Sequence, residues 1–163
     1  MKKIQVVLVD DHTIVRNGLR SILESTDEIE VIGEASNGEE ALEKIAYLKP
    51  QVMLIDISMP GMSGIELVGK VVKQSNAIRP VILSMHNDDA YILKSVEAGA
   101  YGYLLKDATR DEILAALHSV KNGEKYFNPA VAAVIVNGYL SQVQKVEKAS
   151  ESRKTLLSKK EKE

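Results

Sequence analysis

The sequence predicts a doubly wound α/β fold on a parallel sheet, and three observations carry that prediction. Short apolar runs alternate with stretches of helical periodicity five times over in about 120 residues. The run Val52 to Ile55, VMLI, shows no polar alternation, as a strand buried on both faces requires. Strands separated by helices need right-handed crossovers, which produce a parallel sheet covered on both sides.

The elements follow in order. Ile4 to Val9 is the first apolar run and delivers Asp10 and Asp11 at its C-terminal end. Val15, Leu19, Ile22 and Leu23 then share one helical face. Ile29 to Ala35 alternates like a half-exposed edge strand. Asn37-Gly38 opens a second helix with Leu42, Ile45 and Leu48 inward, and Pro50 stops it. The central strand ends at Asp56, followed by turn formers Pro60, Gly61, Ser63 and Gly64. Ser63 with Glu66 forms a capping-box pattern that starts a third helix, marked by Ile65, Val68 and Val72. Val81 to Ser84 is a fourth strand, and a helix with Ile92, Leu93 and Val96 ends at Gly99. Tyr101 to Leu105 is a fifth strand leading to Lys106. Thr109 with Glu112 caps a helix with Ile113, Leu117 and Val120 inward. The expected strand order is 2-1-3-4-5, the flavodoxin-like arrangement. Asn128-Pro129 starts an extra C-terminal helix, expected over 128–144, whose apolar part suits packing or dimer formation.

Composition narrows the function. The 163 residues are 45% hydrophobic and 27% charged, the balance of a globular domain with an appendage. No apolar run approaches the roughly 20 residues that span a bilayer, and MKKIQVVLVDD reads as a first strand rather than a signal peptide. The absence of cysteine excludes disulfides, thiolate metal sites and cysteine nucleophiles. A cytoplasmic location and no membrane partner are expected. From Lys145 onward, 11 of 19 residues are charged, seven basic and four acidic, which reads as a solvated helix or linker. Subtracting that net +3 from the chain's −2 leaves −5 on residues 1–144, which argues against non-specific nucleic-acid binding by the domain.

The parallel topology brings the polar strand ends to one rim: Asp10 and Asp11, Asp56, Ser84 and Lys106. Adjacent strands lie about 4.8 Å apart, so these groups crowd one small site. Three carboxylates there repel each other, and a divalent cation resolves the conflict. Hard oxygen donors without thiolates favour Mg²⁺, which also meets phosphate. Lys106 supplies a point charge for a phosphoryl oxygen, Ser84 a hydrogen bond, and Asp56 a nucleophilic carboxylate. Taken singly, Asp10-Asp11 reads equally as helix caps, Lys106 as a solvated charge and Ser84 as a turn hydroxyl. His12 and His86 read as residues of the rim, since no histidine spacing suits a metal.

Four stretches, VDDH, LIDISMPGMSGIEL, LSMH and AGAYGYLLKDAT, stand in order and spacing over residues 4 to about 127. Together they make the sequence similar to the receiver domain of two-component response regulators of the NarL/FixJ type. The resemblance implies that Asp56 accepts a phosphoryl group from a phosphohistidine on a sensor histidine kinase. It also implies Mg²⁺ bound by Asp10 or Asp11, Asp56 and the backbone carbonyl of Ser58, and a switch pair of Ser84 and Tyr103. Such a domain transfers phosphate to itself and loses it again rather than turning over as an enzyme, and a homodimer on phosphorylation is expected. The closing LLSKKEKE resembles the opening of a LuxR-type helix-turn-helix domain. That implies a receiver over 1–127, the helix over 128–144, and in 145–163 a linker and the start of a DNA-binding output domain, the only part through which DNA would be bound.

Two positions depart from the family pattern. Asp107 follows Lys106 where proline is common, and a cis bond without proline costs about 3 kcal/mol. Met85 follows Ser84 where many receivers have a smaller residue, which narrows access to Asp56. Other classes fare worse. A haloacid dehalogenase-type hydrolase needs a second Asp two residues after its nucleophile, where Ser58 stands. A dinucleotide-binding turn needs glycines where DDHTIVRNG is found, and no P-loop is present. The serious rival is a pseudo-receiver, or a single-domain regulator, acting by protein contact without phosphorylation.

Overall fold

The computed structural model describes residues 2–161, with side chains described through residue 150. Six parallel strands form one sheet in the order β2-β1-β3-β4-β5-β6. They are β1 (Ile4–Val9), β2 (Ile29–Ala35), β3 (Val52–Ile55), β4 (Arg79–Ser84), β5 (Gly102–Leu105) and β6 (Tyr126–Phe127). The helices between them are α1 (Thr13–Glu24), α2 (Gly38–Leu48), α3 (Gly64–Gln74), α4 (Asp89–Ala98) and α5 (Arg110–Lys121). The order expected for five strands is present. The two-residue β6 extends it, pairing Tyr126 with Gly102 and Phe127 with Tyr103.

Because successive strand residues point to opposite faces, each strand feeds two cores. On one face Val7, Val9, Met53, Ile55, Ile82 and Tyr103 pack against Ile45 of α2, Leu67 and Val71 of α3 and Ile92 of α4. On the other, Val6, Leu8, Leu54, Val81 and Leu104 pack against Leu23 of α1 and Ile113, Leu117 and Val120 of α5. All four residues of β3 are buried, which explains its lack of alternation.

Helix starts follow the expected chemistry. The side chains of Asn37, Ser63 and Thr109 accept from the backbone N–H of Glu40, Glu66 and Glu112. Gly99 closes α4 in the left-handed region at φ 112°. In α3 the inward stripe is Gly64, Leu67, Val68 and Val71. Of the residues whose spacing marks this helix, Val68 is buried, Ile65 packs on the same core and Val72 is 39% exposed. The C-terminal helix α6 (Pro129–Glu161) begins with Asn128 Oδ1 accepting from Val131 N–H. It runs on past residue 144 without a break. Val131 is buried, and Val134 and Ile135 pack on the same core. The last two residues of the LLSKKEKE stretch lie outside the described residues.

Candidate functional site

The site is built from the ends of β1, β3, β4 and β5. Backbone pairing carries past the strands: Asp10 N–H donates to Ala35 O at 3.1 Å, Asp56 N–H to Val9 O at 2.9 Å, and Lys106 N–H to Ser84 O at 2.9 Å. These bonds fix where each functional side chain leaves the sheet. The loop after Asp56 is held equally tightly. Gly64 N–H donates to Ile57 O at 2.9 Å, and a Cβ on Gly64 would lie 2.1 Å from the Asp56 carbonyl oxygen. Only glycine lets the start of α3 pass that close to the strand end.

The expected residues meet. Asp10 and Asp56 are 2% and 5% exposed, and Lys106 Nζ lies 3.0 Å from Asp10 Oδ2 and 3.3 Å from Asp56 Oδ1. Burial pushes the Asp56 carboxyl above its ordinary range, and the Asp10 carboxylate adds to this. Lys106 and the Ser58 N–H pull the other way. Burial works against the charge of Lys106, but the two carboxylates outweigh it and hold the ammonium above its usual range. The Lys106–Asp107 bond is trans, as no cis peptide occurs among the described residues.

Asp10, Asp11, His12 and Asp56 each offer a ligand atom, all within 4.8 Å of one another. Asp11 Oδ1 is buried without a hydrogen-bond partner, although His12 Nδ1 stands 3.0 Å away in poor alignment. His12 Nδ1 instead bonds Asp10 Oδ1 at 3.0 Å, and its backbone N–H donates to the same oxygen at 2.9 Å. An orphaned carboxylate oxygen among clustered hard donors fits a divalent cation of the Mg²⁺ kind. The part played by His12 in orienting Asp10 was not visible from histidine spacing, because it depends on the tight turn between β1 and α1.

Ser84 is fully buried, and its Oγ accepts from His86 N–H at 2.9 Å. Tyr103 is also fully buried, with its hydroxyl donating to His86 O at 2.5 Å. The ring of His86 reaches Ser58 Oγ at 3.3 Å and lies against Tyr91 with centroids 5.1 Å apart. The β4–α4 loop is thus stitched to both Ser84 and Tyr103. Met85 is 76% exposed and walls a cleft with Ser84, Asn87, Leu105 and Lys106.

Comparison with known proteins agrees with this geometry. Residues 6–118 match the response regulator receiver domain family. The chain is 43% identical over 129 residues to the transcriptional regulatory protein MctR of Rhizobium johnstonii, covering 79% of this chain and 60% of that protein. It is 37% identical over 130 residues to the nitrate/nitrite response regulator protein NarL of Escherichia coli, covering 80% and 60%. The chain therefore spans about 60% of the length of these curated relatives. The solved signal receiver domain of the putative response regulator NarL from Mycobacterium tuberculosis superposes with a TM-score of 0.73 at 36% identity, covering 76% of this chain and all of that one. Four strand ends that bring an acidic cluster, a lysine and a buried serine to one rim, on this sheet order and with these relatives, make the chain a member of the response regulator receiver domain family, akin to the NarL/LuxR-type regulators.

Proposed function

We propose that Asp56 is the phosphoacceptor of a two-component phosphorelay. The observation that carries this is the convergence of Asp10, Asp56 and Lys106 within 3.3 Å contacts at a buried rim. A carboxylate oxygen of Asp56 attacks the phosphorus of a phosphohistidine on a sensor histidine kinase. The O–P bond forms as the N–P bond breaks, and the imidazole leaves with the bonding pair and takes up a proton. Asp10, Asp11, Asp56 and the backbone carbonyl of Ser58 would hold Mg²⁺, which supplies charge neutralisation for the phosphoryl oxygens. Lys106, now shared between Asp10 and Asp56, turns one of its donors to the incoming phosphoryl group. Most of the rate then comes from positioning and charge neutralisation rather than from acid–base chemistry.

Ser84 and Tyr103 are the switch pair. Tyr103 is already inside, so the step that remains is rotation of the Ser84 hydroxyl away from His86 N–H to donate to the phosphoryl group. That frees one of the bonds holding the β4–α4 loop. The phosphoryl group brings nearly two negative charges, enough to bias a two-state loop. Phosphorylation would favour a homodimer, and DNA would be reached only through an output domain joined to this one. The names of the regulators it resembles support a transcriptional role. Among the described residues no helix is long and apolar enough to cross a membrane.

Incubation with Mg²⁺ and acetyl phosphate, followed by intact mass measurement, tests the reading. One phosphoryl group should appear on the native chain, none on Asp56→Asn, and none when EDTA replaces Mg²⁺. An unmodified native chain would instead favour regulation by protein contact alone.

A further inference from the structure

Next to the carboxylate cluster, one poorly exposed cation is tied to the main chain that carries it. Arg16, 15% exposed, stands in the first turn of α1, and its Nη1 donates to the carbonyl oxygen of Asp10. Its Nε lies 3.3 Å from Glu34 Oε1 on β2, an ion-pair contact without hydrogen-bond alignment, and Nη2 reaches Thr13 Oγ1 at 3.4 Å. The other oxygen of Glu34 accepts from Arg20 Nη2 at 2.8 Å and Nε at 3.2 Å. Lys44 of α2 donates to the Glu34 backbone carbonyl. Glu34 is thereby held by Arg20 and Lys44, and its other carboxylate oxygen faces the Arg16 guanidinium.

Helix stability does not explain this placement. A cation in the first turn opposes the helix dipole, and α1 has neither an acidic residue there nor a side-chain cap. The carbonyl of Asp10 does explain it. That group lies one residue beyond β1, buried where the strand ladder has ended, and needs a donor from elsewhere. A buried ion pair is weak evidence for stability in its own right. Holding ligand-bearing backbone is a use that matches the geometry, in the way groups behind a metal site orient the ligands themselves.

We propose that Arg16, braced by Glu34, is a positioning residue for the cation site. It fixes the Asp10–Asp11 peptide and so the directions from which both carboxylates meet the ion. Glu34 also offsets a guanidinium charge that would otherwise repel a divalent cation. The inference rests on the reading of the cluster as a Mg²⁺ site.

The test is calorimetric titration of Mg²⁺ into the unphosphorylated native chain and into Arg16→Met, Arg16→Lys and Glu34→Gln. Urea denaturation in EDTA reports the stability of each chain without metal. Arg16→Met should weaken Mg²⁺ binding roughly 10- to 100-fold in the folded protein. Arg16→Lys should recover part of that loss, since an ammonium can serve the Asp10 carbonyl but cannot at the same time reach Glu34 and Thr13 as the planar guanidinium does. Glu34→Gln should fall between native and Arg16→Met. Binding by Arg16→Met within twofold of native, after correction for the folded fraction, overturns the proposal. Should that variant fail to fold, native-like binding by both Arg16→Lys and Glu34→Gln does so. A native chain that takes up no Mg²⁺ overturns the cation-site reading itself, and is seen before any variant is compared.

Discussion

Asp56 is a carboxylate kept where a carboxylate is costly. Burial and the neighbouring Asp10 raise its pKa above the ordinary 3.8, so ionising it weakens the fold at every pH above that value. The cost is absent below pH 3.8, where the group is protonated in the folded and unfolded chain alike, and is complete once pH exceeds the raised value. Asp56→Asn should therefore stabilise the metal-free protein at neutral pH by roughly 0.5–2 kcal/mol. That advantage should shrink as the pH drops toward 3.8, as denaturant titrations at several pH values would show. Gly64 carries the opposite prediction. A Cβ there meets backbone atoms of Asp56 and Ile57 at 2.1–2.8 Å, and backbone cannot step aside as a flexible side chain can. Gly64→Ala should cost about 3 kcal/mol or more, measured by the shift in urea midpoint. The strand-end residues were legible in the sequence because parallel strands deliver their ends to one rim. The Arg16–Glu34 pair was not, because which α1 residue meets β2 depends on how the helix is rotated on the sheet.

At the level of single elements, the start of α2 shows how side chains fix a boundary. Asn37 accepts from Glu40 N–H, and Glu40 reaches back to Ser36 N–H at 3.1 Å and Ser36 Oγ at 2.8 Å. Lys44, one turn on, lies 2.9 Å from Glu40. The bond from Lys44, followed by those from Ser36, lowers the Glu40 pKa from 4.5 to about 2. A carboxyl lowered in the folded state adds stability above its unfolded value and loses it as pH falls through the folded one. Glu40→Gln should thus cost about 1 kcal/mol at neutral pH, allowing for solvent screening at a partly exposed pair. The cost should fade between pH 4.5 and about 2, read from acid denaturation of both chains. Helix starts of this kind were readable because caps and their partners lie three residues apart. The two-residue β6 was not, because its pairing with β5 is set by where α5 ends. In α3, Ile65, Leu67, Val68, Val71 and Val72 offer two overlapping apolar stripes, so spacing alone does not say that Leu67, Val68 and Val71 are buried while Val72 is 39% exposed.

For the whole molecule, the fold brings like charges together and leaves their neutralisation to a ligand. Lys106 answers only part of the negative charge of Asp10, Asp11 and Asp56. Mg²⁺ should therefore raise the thermal midpoint progressively with its concentration, through a stabilisation of about 2.7 kcal/mol at one hundred times its dissociation constant, and EDTA should reverse the gain. A midpoint indifferent to Mg²⁺ would contradict the assignment. The doubly wound order and its two cores were legible from the alternation of runs and helices. The unbroken course of α6 beyond residue 144 was not, since a charged polar stretch reads equally as helix or coil. The short β6 has one more consequence. It borders only Gly102 and Tyr103, so among the described residues Leu104 and Leu105 have no neighbouring strand on that side. There β5 is held from one side alone, by Leu83 and Ser84 of β4 and by the bond from Lys106 N–H to Ser84 O, so the strand end that presents Lys106 hangs on the same strand that carries Ser84.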